Sequence, residues 1–113
     1  MEFFEIIANG GSTVHVTVVH PHQVALWQAA FGRELAGLFD ITPAAAATEV
    51  LDAALARFQT HADELRAHLD PAETLGGLRN NRRVIERMRA TLADYPDATI
   101  SGAVDDEAEA EQS

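Results

Sequence analysis

The sequence predicts a small α+β protein: an N-terminal antiparallel β-hairpin, then three amphipathic α-helices, a short edge strand and an acidic tail. Three observations carry this prediction. Two apolar runs flank Asn9-Gly10-Gly11-Ser12, and the second of them alternates strictly from Thr13 onward. From Pro21 the large apolar residues recur at steps of three and four, the period of a helix face. After Val104 the chain turns acidic, small and polar.

The hairpin spans 3–20. Phe3-Phe4-Glu5-Ile6-Ile7-Ala8 is rich in aromatic and β-branched residues, which suit a pleated, half-buried surface. Asn9-Gly10 is a strong hairpin signal because both residues tolerate positive φ. Along the second strand Val14, Val16 and Val18 share one face, and Thr13, His15 and Thr17 share the other. An isolated hairpin is marginal in water, so the valine face is expected to pack on the helices or the strand edge to pair.

The first helix is expected over 22–39, with Pro21 opening it and Val24, Trp27, Phe31, Leu35 and Leu38 on its apolar stripe. Thr42 then serves as N-cap, with Pro43 at the first helical position. The second helix runs over 43–69, carrying Ala47, Leu51, Ala54, Phe58, Ala62, Leu65 and Leu69 on one face. Twenty-seven residues make a helix of roughly 40 Å, against a radius of about 13 Å for a domain of this size. Such a helix must bend, or project and bury its Ala-rich stripe against a second copy. A third helix spans 72–95, with Asp70 as N-cap and Glu73 reaching back. Gly76-Gly77 weakens its start, so the regular part begins nearer Leu78. Leu78, Asn81, Ile85, Met88, Leu92 and Tyr95 share its inner face. Residues 98–102 form the edge strand, and Asp105–Ser113 is expected to be disordered.

At 113 residues the length suits one domain, assigned to 1–97, with 98–113 as edge strand and tail. There is no cysteine, which excludes disulfides and thiolate chemistry. The uncharged stretch Ile6–Gly32 holds three histidines, Asn, Gln and several Gly, too polar to span a membrane. No export signal is visible in the acidic start. A soluble, cytoplasmic protein that does not engage membranes is expected. The net charge is −10, and all eight cations are arginine. Such a chain repels phosphate at long range, so nucleic acid would need a local positive patch.

That patch is the third helix. Arg79, Arg82, Arg83, Arg87 and Arg89 lie against Glu86 alone, so the segment is +4 within a chain of −10. Arg79, Arg83 and Arg87 are four apart and share a face opposite Leu78, Ile85 and Leu92. The expected role is docking an acidic protein surface, since guanidinium forks match carboxylates. The bland alternative is an ion-paired helix face, with Glu49, Asp52, Asp63 or Glu64, or the acidic tail, as partner. No aromatic residue is interleaved to stack bases.

Two histidine groups are weak metal candidates: His15, His20 and His22, and His61 with Glu64 and His68 at helical spacing. His15 and His20 fall on opposite strand faces, and neither group has the HExxH spacing. No nucleophile elbow, phosphate loop or dinucleotide fingerprint is present, and no cofactor is expected. Trp27, Phe31, Phe39 and Phe58 are assigned to the core. The leading expectation is therefore a non-enzymatic assembly or adaptor protein, homo-oligomeric, with the arginine helix on an acidic surface. The alternatives are a small nucleic-acid-associated regulator, with the tail as internal competitor, and a His-dependent metal protein or enzyme.

Overall fold

The computed structural model describes residues 2–35, 37–69 and 77–104. Its elements run β1 (Glu2–Ile7), β2 (Thr13–Val19), α1 (Pro21–Phe31), β3 (Thr42–Pro43), α2 (Ala44–Thr60), α3 (Ala62–Arg66), α4 (Leu78–Asp94) and β4 (Thr99–Val104). The fold is α+β, with one antiparallel sheet of order β2-β1-β4-β3. Among the described residues, no helix is long and apolar enough to cross a membrane.

The hairpin forms as expected, but its turn is carried by Gly10 and Gly11, both at positive φ, rather than by Asn9. Ala8 N–H donates to Ser12 O at 2.8 Å and closes it. Of Val14, Val16 and Val18 only Val14 packs against the core; the hairpin is instead extended at its β1 edge, which pairs with β4. Phe4 and Ile6 of β1 are fully buried, and they stand opposite Thr17 and His15. Thr17 and Val19 are therefore the buried residues of β2, while Val16 is 49% exposed. The pairing passes over Val14 near the turn, a bulge that lets this residue pack on the core.

The first helix ends at Phe31, not Phe39. Gly32 takes the left-handed conformation at φ 73°, and its N–H returns to Gln28 O at 2.8 Å. Arg57 Nη1 reaches Ala29 O at 3.0 Å, capping the same helix end. Leu35, Leu38 and Phe39 are buried from the loop that follows, which is why the helical spacing continued beyond the helix. Thr42 and Pro43 form β3 instead of a cap and first turn, pairing with Ile100 and Thr99. Proline is tolerated there because an edge strand leaves its missing N–H unneeded.

The 27-residue helix is not formed. α2 stops at Thr60, whose hydroxyl donates back to Ala56 O at 3.0 Å and shares a 2.7 Å hydrogen bond with His61 Nδ1. Such back-bonding competes with the helical ladder. α3 restarts at Ala62 and buries Leu65. The length argument for a projecting helix thus falls away. α4 begins at Leu78; the expected caps Asp70 and Glu73 lie outside the described residues, as does the tail Asp105–Ser113. Asn81, Ile85, Met88 and Leu92 are buried as predicted, whereas Tyr95 is 43% exposed.

The expected edge strand is an interior one. β4 pairs with β1 along its length and with β3 at its start. Ile100 stands opposite Ile6 and Gly102 opposite Phe4, and Gly102 N–H donates to Phe39 O at 2.9 Å. The core gathers Phe4, Ile6 and Ile100 from the sheet with Leu26, Trp27, Leu51, Ile85, Met88 and Leu92 from the helices.

Ile41 is the one described non-glycine residue at positive φ (48°), and it is 68% exposed. A β-branched residue there costs roughly 1–2 kcal/mol of strain and recovers little burial. Ile41→Asn is expected to raise stability by about 1 kcal/mol, a rise in Tm of about 5 °C. Calorimetry showing no rise would assign the strain to the loop rather than the residue.

Candidate functional site: the arginine face of α4

α4 is amphipathic because its apolar residues keep one side and its arginines the others. Its inner side is fixed by Asn81, whose Oδ1 accepts from Trp27 Nε1 at 2.8 Å and Gln23 Nε2 at 2.9 Å. Asn81 Nδ2 donates to Gly77 O at 3.0 Å. Gln23 Oε1 in turn accepts the His20 N–H at 3.0 Å. These bonds hold the start of α4 against the start of α1 and set which side of α4 faces out.

The five arginines divide by surroundings. Arg89 is held by Asp52 of α2 through two hydrogen bonds, the outer from Nη2 at 3.4 Å. That pairing raises the pKa of Arg89 through the hydrogen bond first and the charge second. Both side chains are nearly half exposed, so the pair contributes little to stability. Arg82 is partly buried, with Nε 4.0 Å from the Glu86 carboxylate, too far for a hydrogen bond. Arg79, Arg83 and Arg87 are exposed, and among the described residues none of them forms an ion pair.

Arg87 lies toward β2. Burial first, and the Arg87 charge second, push the His15 pKa below its ordinary value. His15 Nε2 shares a 2.9 Å hydrogen bond with Thr17 Oγ1.

A cleft of about 290 Å³ opens beside the arginine face, lined by Phe58 of α2, Ala62 and Arg66 of α3, and Leu78, Arg79 and Arg82 of α4. Reading from sequence missed Arg66 here, because the helix break at His61 that swings it toward α4 leaves little trace in apolar spacing. Phe58 and Leu78, expected only as core, also form its apolar walls.

The histidines are dispersed. The His20 and His22 rings stack with centroids 5.7 Å apart, while His15 faces inward under the sheet. His61, Glu64 and His68 do line one cleft, of about 260 Å³, together with Arg57. Among the described residues, no three His, Asp or Glu side chains are grouped to hold a metal ion. Compared with known proteins, the chain matches no family, no curated protein and no solved structure.

Proposed function

We propose that this chain is a non-enzymatic assembly protein that docks an acidic protein surface, including that of further copies of itself, on the exposed face of α4. The observation that supports it most is the triplet Arg79, Arg83 and Arg87. These residues are four apart, exposed and without an ion pair among the described residues, in a chain of net charge −10. Against that net charge a concentrated positive strip favours acidic partners and orients their approach. A helix face of planar forks suits carboxylates in particular. An adaptor role in the cytoplasm goes with this reading.

The test is light scattering coupled to size-exclusion chromatography, at low and high salt. The wild-type chain is expected to run above its monomer mass of 12.2 kDa at low salt. Arg79→Glu/Arg83→Glu/Arg87→Glu is expected to weaken association about tenfold or more, since three exposed pairs at about 0.5 kcal/mol each amount to that. All three side chains are exposed, so the Trp27 near-UV signal should be unchanged. A wild-type monomer, or an oligomer indifferent to the triple substitution, would remove the arginines from this role.

A further inference from the structure

We propose that the cleft between α2, α3 and α4 is a binding site for an acidic peptide segment, and that its occupant is the acidic stretch following β4 in the same chain. The inference rests on the docking reading only in sharing Arg79; its own support is separate.

The cleft has the chemistry of such a site. Arg66, Arg79 and Arg82 bring three guanidinium groups from two helices to one opening, over walls made by Phe58 and Leu78. Arg82 Nε is shielded from solvent and has no hydrogen-bond partner among the described residues. A shielded N–H left in that state favours a ligand oxygen that satisfies it. Arg66 bonds Asp63 at 2.8 Å but remains 60% exposed, with its other nitrogens free to face the cleft.

The topology brings the segment to the cleft. Gln23 and Asn81 tie the start of α4 to the start of α1, which follows β2 directly. The end of β2 pairs with the start of β1, where Val19 stands opposite Glu2, and Val104 stands opposite Phe3. The chain therefore leaves β4 at the same end of the sheet as the arginine cleft. Nine residues extended reach roughly 30 Å, which is ample to pass around the sheet end.

The segment also has the complementary pattern. Asp105, Glu107, Glu109 and Glu111 alternate, so an extended chain presents four carboxylates on one side. Ala108 and Ala110 lie on the other side and are small enough not to block a shallow opening. Because Arg79 belongs both to the cleft and to the outward face, the bound segment competes with any acidic partner.

The chain has no cysteine, so Ser113→Cys takes a single spin label on the otherwise intact protein. The amide signals of Phe58, Leu78 and Arg79 are expected to broaden beyond detection. They should return in Arg66→Glu/Arg79→Glu/Arg82→Glu and at high salt. They should also return when Asp105, Asp106, Glu107, Glu109 and Glu111 are changed to Asn or Gln, a variant that alters no residue of the described fold. Signals that never broaden would overturn the proposal. So would broadening seen only between spin-labelled and isotope-labelled copies in a mixture. If Arg79→Glu/Arg83→Glu/Arg87→Glu dissolves an oligomer while no signal broadens, docking on α4 stands and the internal segment is excluded. Broadening in a protein that never self-associates gives the reverse result.

Discussion

Gly102→Ala is expected to cost roughly 3 kcal/mol or more, because the added Cβ meets a packed aromatic ring. A Cβ at that position would sit 2.0 Å from Cδ1 and 2.4 Å from Cε1 of Phe4. The ring has nowhere to go. Phe4 is 1% exposed, stacked on Trp27 at 6.1 Å and edge-on to Phe39 at 5.8 Å. The strand cannot easily move either, because Gly102 N–H is bonded to Phe39 O and its neighbours pair with β1. Urea unfolding should show a lower midpoint with an unchanged slope. The mechanism has its own check in the Phe4→Leu background, where the smaller side chain vacates the ring volume. There the cost of Gly102→Ala should fall by more than 1 kcal/mol, a coupling that independent sites do not show. Additive effects would place the fault in the backbone instead of the ring.

Asn81→Ala is expected to cost about 2–4 kcal/mol, although it removes only a short polar side chain. Trp27 is fully buried, and its Nε1–H has Asn81 Oδ1 as its acceptor. Removing that acceptor leaves a desolvated donor, at about 1–3 kcal/mol, in addition to the space left behind. Gln23 loses the same acceptor but is only half-buried and can turn to water. In a Trp27→Phe background the penalty should shrink markedly, because no indole N–H remains to be orphaned. Equal penalties in the two backgrounds would show that packing, not the hydrogen bond, sets the value of Asn81.

The sequence spacing was most informative where one periodicity ran undisturbed. Leu78, Asn81, Ile85, Met88 and Leu92 identify the inner side of α4, including a polar residue that composition alone would have sent outward. Alternation in β2 grouped Val16 with Val18 and His15 with Thr17 correctly, but it could not show the bulge that turns Val14 to the core, nor which face points inward. That choice is made across the strand, where buried Phe4 and Ile6 stand opposite Thr17 and His15. Helix ends were blurred for a related reason. Leu35, Leu38 and Phe39 keep helical spacing in a loop because the same core collects them, and only Gly32 marks the stop. β3 is two residues long and carries no pattern, and the interior place of β4 depends on partners far away in sequence. At the candidate site, the arginines of α4 were legible as a charge run. The separation of Arg89, tied to Asp52, from exposed Arg79, Arg83 and Arg87 depended on where α2 lies.

The placement of β4 between β1 and β3 also decides the order of events as the chain is made. β1 leaves the ribosome long before Gly102, the β4 residue that Phe4 must meet. At roughly 5–20 residues per second, the hairpin waits about 5–20 s for that strand. Throughout the wait Ile6 and Phe4 lack their β4 neighbour, and β3 lacks the strand it pairs with among the described residues. The native sheet therefore cannot close until β4 has been made. Its long-range closure slows refolding relative to a fold built from local contacts. Arrest of synthesis short of Ile100 would release a nascent chain with an open apolar strand edge, the kind of species that chaperones hold.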